Sequence, residues 1–241
     1  MSIKAVIFDI YNTLFDNDTI YWKQTFKEIC KLQDLRIDPE KFWYDWKSIE
    51  ITFRQNRLNM ENPSLSPPFK TYQTAWKEAF EITFEKWKVN GNAEHAAQVS
   101  VDSLSTRPPY PDTYKVIDDV QRERKVAFLT NADNASVFKL FENHNISTSM
   151  IFTSEQLQTY KPNPIVFETV LKNLHVEKYE AVYVGDTLLE DMHGSKMAGI
   201  AAIWINRTGI SIDPELIPPD HQIKELRELA GILKCMDEVR S

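Results

Sequence analysis

The sequence predicts an α/β fold: a doubly wound parallel sheet interrupted by an inserted α-helical cap. Three observations predict it. Five short apolar runs, Ala5–Phe8, Val126–Leu129, Met150–Phe152, Ala181–Val184 and Ala201–Ile205, each give way to a polar or turn residue, as strands buried on both faces do. Helical patterns alternate with the later runs, the pacing of a parallel sheet. A long stretch after the first run shows no strand pattern at all and is dense in aromatic residues.

Taken in order, Ala5–Phe8 is the first strand, within a core segment of residues 1–17. The insert, residues 18–105, carries Tyr21, Trp22, Phe26, Phe42, Trp43, Trp46, Phe53, Tyr72, Trp76, Phe80, Phe84 and Trp87. Many stand three or four apart, the spacing of amphipathic helices that pack on one another. A proline- and serine-rich break at Asn62–Phe69 divides them into two helical pairs. Pro108-Pro109-Tyr110-Pro111 returns the chain to the α/β pattern, and residues 106–241 complete the core. There, Thr113–Arg124 places Tyr114, Val116, Ile117 and Val120 at helical spacing. Asn163–Leu174 opens with Asn-Pro, a helix start, and repeats Ile165, Val166, Thr169, Val170 and Leu174.

Composition limits the function classes. With 42% hydrophobic residues, 26% charged and only six glycines, the chain has the material for a sizeable core and none of the signature of disorder. A net charge of −7 without a basic cluster argues against a nucleic-acid partner. Cys30 and Cys235 match no metal or redox spacing and read as thiols of a reducing compartment. The apolar opening Ile3–Phe8 is too short for a signal peptide or membrane span, so a cytoplasmic protein is expected. Monomer and homodimer are both compatible with the aromatic insert.

Ligands of open parallel sheets bind beyond the carboxyl ends of the strands, so the residues placed there matter most. After the first strand comes Asp9-Ile10-Tyr11-Asn12-Thr13-Leu14, and after the second Thr130-Asn131-Ala132-Asp133. Beyond the third comes Lys161-Pro162, and after the fourth Gly185-Asp186-Thr187-Leu188-Leu189-Glu190-Asp191. Singly, each has a plain structural role: Asp9 and Thr130 as helix or turn caps, Lys161 in a solvated loop, Asp186 and Asp191 as helix-start acids, Glu190 on a solvated face. Jointly they bring acids, a hydroxyl and a cation to one crevice.

The same four segments resemble the four motifs of the haloacid dehalogenase superfamily, in order and spacing, from Ala5 to about Leu233. The resemblance implies a Rossmann-like core with a helical cap of the family's first class. It implies a hydrolase in which Asp9 is a covalent nucleophile. Magnesium would be held by Asp9, the backbone carbonyl of Tyr11, Asp186 and, directly or through water, Asp191. Thr130, Asn131 and Lys161 would bind a small phosphorylated substrate, with Thr130 and Lys161 also serving catalysis.

Tyr11 departs from the phosphatase pattern, which carries a second Asp there as general acid and base. A phenol with a reference pKa of about 10 donates a proton but is a poor base near neutrality. Tyrosine at this position is similar to the 2-haloacid dehalogenases, where halide leaves without a proton. Those enzymes do without metal and carry Ser and Asn in the fourth motif, whereas this chain has Asp186 and Asp191. They also need a cap arginine; Arg54 and Arg57 are candidates. Phosphatase is therefore the favoured reading and dehalogenase the alternative. A phosphate-binding relative without turnover is the third.

Overall fold

The computed structural model describes residues 2–240; Met1 and Ser241, the outer limits of the two predicted core segments, lie outside the described residues. Six strands form one sheet: β1 (Ala5–Phe8), β2 (Lys125–Thr130), β3 (Ile151–Thr153), β4 (Ala181–Gly185), β5 (Ala201–Ile205) and β6 (His221–Ile223). Their spatial order is β3-β2-β1-β4-β5-β6, and every pairing is parallel. The chain winds outward on one side of β1 and then crosses to the other. The switch point therefore lies between β1 and β4, where a parallel sheet opens a crevice.

Alternation along the strands feeds two cores. Val6, Phe8, Phe128, Val182, Val184 and Ile203 point to one face. Over them lie α5 (Thr113–Gln121), α6 (Asn134–Asn143) and α10 (Leu229–Arg240), through Val120, Leu140 and Leu233. Ala5, Ile7, Leu129, Tyr183 and Trp204 face the other way, under Phe167 and Val170 of α8 (Pro164–Leu174). Each large apolar side chain fully buried here contributes about 1.5–3 kcal/mol relative to exposure. Short helices α7 (Ser154–Leu157) and α9 (Gly194–Met197) complete the core layer.

The insert folds as two helical pairs: α1 (Thr19–Leu32) with α2 (Pro39–Asn56), and α3 (Tyr72–Trp87) with α4 (Ala93–Leu104). Each start is capped by a side chain from the class that satisfies free helix N–H groups: Asp18, Asp38, Thr71 and Asn92. The break between the pairs contains a single 3-10 turn, Pro63–Leu65. The aromatic stripe closes on itself. Phe26 meets Phe80 at 5.4 Å between ring centroids, Phe42 meets Phe84 at 5.4 Å and Trp46 meets Trp76 at 5.7 Å.

The structure corrects some details. Strand β2 runs on to Thr130, β3 starts at Ile151 and not Met150, and α5 stops at Gln121. Strand β6 has no apolar run to mark it in the sequence, because His221-Gln222-Ile223 is a three-residue edge strand exposed on one side. Among the described residues no helix is long and apolar enough to cross a membrane.

Candidate active site

Asp9 leaves the end of β1, its backbone N–H bonded to the Val184 carbonyl of β4 at 2.9 Å. That bond sets its carboxylate at the switch point. Lys161 reaches the same place from the segment before α8, and its Nζ, on a side chain only 2% exposed, meets four oxygens. These are Asp9 Oδ1 and Asp191 Oδ1 at 2.6 Å, the Tyr183 hydroxyl at 2.9 Å and the Leu129 carbonyl at 3.2 Å. Burial works against the charge on Lys161, but the Asp191 and Asp9 carboxylates outweigh it and hold the ammonium well above its usual range.

Asp191 sits on a π-helical turn, Leu188–His193, in which the Met192 N–H bonds back to the Thr187 carbonyl at 3.1 Å. Such wide turns are rare and recur at functional sites. Both Asp191 oxygens are fully engaged. Oδ1 takes Lys161 and the Tyr183 hydroxyl at 2.9 Å, and Oδ2 takes the Thr187 N–H and hydroxyl at 2.9 and 2.7 Å. Gly185 makes room for this arrangement, since a Cβ there would lie 2.5 Å from Asp191 Cγ. Gly194 similarly lets the fourth segment close on the third, because its Cβ would meet Pro162 at 2.7 Å.

Asp186 follows β4 and completes a triad. One carboxylate oxygen from each of Asp9, Asp186 and Asp191 lies within 4.8 Å of the others. Burial pushes the Asp9 carboxyl up to about 7, with Lys161 pulling it down and Asp191 adding to the rise. Enclosure and the neighbouring Asp9 and Asp191 charges hold Asp186 well above the carboxylate range. When all three carboxylates are ionised, the one ammonium leaves two negative charges unmatched, which, with burial, is why the Asp9 and Asp186 carboxyls hold protons so strongly in the absence of a cation. Among the described residues, no donor is hydrogen-bonded to the Asp186 carboxylate or to the Tyr11 carbonyl. An all-oxygen set with free lone pairs and excess negative charge fits magnesium, with Asp191 better placed to act through water than as a direct ligand.

Thr130, 2% exposed, and Asn131 line the same cavity of about 90 Å³ with Asp9 and Lys161. The Asn131 side chain is fully committed. Its Oδ1 accepts from the Lys161 N–H at 2.8 Å, and its Nδ2 donates to the Lys161 carbonyl and to Glu190 at 3.1 and 2.9 Å. Only its backbone is left for a ligand, so its side chain joins loops instead of binding substrate. Tyr11 packs against both the sheet core and the cap core. Its hydroxyl is buried with no hydrogen-bond partner among the described residues, and burial pushes the phenol well above its usual range.

Four further residues belong to this site, in roles that the sequence pattern does not show. Tyr183 lies within the apolar run Ala181–Val184, where a phenol inside an aliphatic strand is the one signal of a polar role. Glu190 was placed on a solvated face, but it is half-buried and held by Arg57 and Asn131. Arg57, 6% exposed, donates to Glu190 and the Tyr72 hydroxyl and lies over the Tyr160 ring at 4.6 Å. It ties cap to core, as does Asp133, which accepts from the Tyr72 and Gln73 N–H groups at the start of α3 at 2.7 and 2.8 Å. Arg54 differs: its Nε donates to buried Glu50 at 2.6 Å, and it lines the cavity above Asp9.

Comparison with known proteins agrees with this geometry. A family model described as haloacid dehalogenase-like hydrolase matches residues 3–199. Haloacetate dehalogenase H-2 of Moraxella sp. (strain B) is 22% identical over 96% of this chain and 98% of its own length. Glyceraldehyde 3-phosphate phosphatase of Methanopyrus kandleri is 26% identical over 96% of this chain and 97% of its own. The magnesium-bound HAD-hydrolase YfnB of Bacillus subtilis superposes with a TM-score of 0.81 at 17% identity, covering 97% of this chain and all (100%) of that one.

Proposed function

The chain belongs to the haloacid dehalogenase-like hydrolases, and on that premise we propose that it is a magnesium-dependent phosphatase. It acts on a small phosphorylated metabolite through an aspartyl-phosphate on Asp9. The observation that carries this reading is the unmatched charge of Asp9, Asp186 and Asp191 around the lone Lys161 ammonium. A haloacid's carboxylate would be repelled there, whereas a phosphoryl group shares a bound cation with those acids.

Asp9 attacks phosphorus in line with the ester oxygen. The new Oδ–P bond forms as the bond to the leaving oxygen breaks with its electron pair. Lys161 fixes Oδ1 of Asp9, which leaves Oδ2 free to attack. The Thr130 hydroxyl, unclaimed by any described residue, and the Asn131 backbone would hold phosphoryl oxygens in the 90 Å³ cavity. Magnesium, held by Asp9, Asp186 and the Tyr11 carbonyl, would neutralise the charge between nucleophile and phosphoryl group. Water then cleaves the aspartyl-phosphate and restores Asp9.

Tyr11 supports a second reading, 2-haloacid dehalogenase, because a departing halide needs no proton. The test is phosphate release from p-nitrophenyl phosphate with and without magnesium, beside halide release from 2-chloropropionate. Magnesium-dependent phosphate release supports the phosphatase. Halide release without metal supports the dehalogenase, and binding of magnesium and phosphate with release of neither phosphate nor halide points to an inactive relative.

A further inference from the structure

The cavity around Asp9, about 90 Å³, holds a phosphoryl group and little else, so the rest of a substrate extends into the adjoining cleft of about 620 Å³. The oxygen that leaves phosphorus must sit where the two meet. Asn17 lines both. It stands where the chain enters the cap, one residue before Asp18, the N-cap of α1. Its backbone N–H donates to Asn12 Oδ1 at 3.1 Å, which ties it to the loop that follows Asp9.

Behind Asn17 lies Arg107, in the segment that leaves the cap after α4. It is 3% exposed, and every acceptor it meets is neutral. Nε donates to Asn17 Oδ1 at 2.7 Å, Nη1 to the Ser103 carbonyl at 3.1 Å and Nη2 to the Ser103 hydroxyl at 3.3 Å. The guanidinium packs on the rings of Tyr21 and Trp22, at 5.3 and 5.4 Å from their centroids. Burial pulls it down to about 10, which still leaves it charged at neutral pH. No carboxylate is paired with it among the described residues. A buried charge without a counter-charge is strongly destabilising, and an apolar residue of similar volume would avoid it.

The pairing fixes the amide. A guanidinium only donates, so the Asn17 oxygen must face Arg107 and the NH2 group turns the other way. Nδ2 has no acceptor among the described residues. A charged donor on Oδ1 polarises the amide and strengthens Nδ2 as a donor in its turn. Two uncommitted N–H bonds therefore belong to a residue that lines the place where negative charge appears as an ester oxygen departs. The Tyr11 hydroxyl, sealed from solvent, does not serve that place.

We propose that Asn17 is a catalytic residue whose Nδ2 hydrogen-bonds the departing ester oxygen, and that Arg107 is a positioning residue that orients and polarises this amide. The proposal rests on the phosphatase reading. As the P–O(ester) bond breaks, its electron pair stays on the leaving oxygen. Asn17 stabilises that charge without giving up a proton, and the released alkoxide or phenolate takes its proton from water.

The test compares two esters across four variants. kcat/KM with magnesium is measured for p-nitrophenyl phosphate and unsubstituted phenyl phosphate on wild type, N17A, N17D, R107M and R107K, with melting temperatures in chelator. N17A should lose about 100-fold on phenyl phosphate, the scale of one oxyanion donor, and far less on p-nitrophenyl phosphate, whose anion needs less help. R107M should lose about tenfold with the same bias, the scale of one hydrogen bond, and R107K should recover part of it. N17D gives Arg107 its missing counter-charge but removes the donor. It should melt about 2 °C or more above wild type and yet be no more active than N17A. Equal losses on the two esters in N17A, or full activity in N17D, would overturn the catalytic role of Asn17. Wild-type dependence on the leaving group in R107M would overturn the positioning role of Arg107, and an unchanged N17D melting point would overturn the account of its charge. Each of those results leaves the phosphatase reading standing. No phosphate release by wild type from either ester would overturn that reading, and this proposal with it.

Discussion

Replacing Lys161 by Met removes one charge and keeps most of the side chain's bulk. The ammonium it deletes lies 2.6 Å from both Asp9 and Asp191, on a side chain 2% exposed. Breaking a buried ion pair by removing one partner costs about 3–5 kcal/mol, because the remaining charge has neither water nor a counter-charge. In a chain of this length each kcal/mol lowers the melting temperature by about 2–4 °C, so a fall of roughly 6–20 °C is expected. The loss depends on pH with a definite sign. The Asp9 carboxyl is raised from 3.8 to about 7 in the fold, so the folded protein binds more protons than the unfolded chain between those values. Stability from this group is present at low pH and lost as pH rises through 7. Without Lys161 the Asp9 carboxyl moves higher still, and protonation relieves the lost pairing in acid. The gap between K161M and wild type should therefore be smallest near pH 5 and widest near pH 8. Thermal denaturation followed by circular dichroism, in chelator-treated protein across that range, measures it. Adding Asp191→Asn to K161M should recover part of the loss through a coupling of about 0.5–3 kcal/mol. A K161M melting point within about 2 °C of wild type at pH 8 would refute this account of the site.

Asp9→Asn should abolish phosphate release yet melt within a few degrees of wild type, since Lys161 keeps Asp191; comparable activity would remove the covalent mechanism. Magnesium affinity should climb as pH rises from 5 through 7, because the ion competes with the protons held on Asp9 and Asp186. Calorimetry in two buffers of different ionisation heat reads the released proton, and a flat pH profile would contradict it. Tyr11→Asp should raise turnover of alkyl phosphates by introducing the missing acid, and lower the melting temperature, because Tyr11 packs against both cores. An unchanged alkyl rate would show that proton donation is not the limit.

The scaffold and the chemistry placed at its ends are legible in the order of residues alone. Parallel strands buried on both faces must be apolar throughout, so Ala5–Phe8 and Ala181–Val184 are legible as runs, and the polar residue after each run marks the crevice edge. Asp9, Thr130, Lys161, Asp186 and Asp191 could be placed together for that reason, as could a cap whose rings recur at helical spacing. Tertiary structure alone decided how each group is used. The π-helical turn and the Gly185 gap fold Asp191 back onto Thr187, and no local pattern reports that saturation. Glu190 looks solvated along its own helix because its partner Arg57 comes from the cap, 133 residues earlier. Arg54 and Arg57 stand three residues apart, yet Arg57 is pinned by Glu190 and Tyr72 while Arg54 is held through Nε by Glu50, with no hydrogen bond to its Nη groups among the described residues. Burial and pairing are properties of distance in space, and residues far apart in the chain set them.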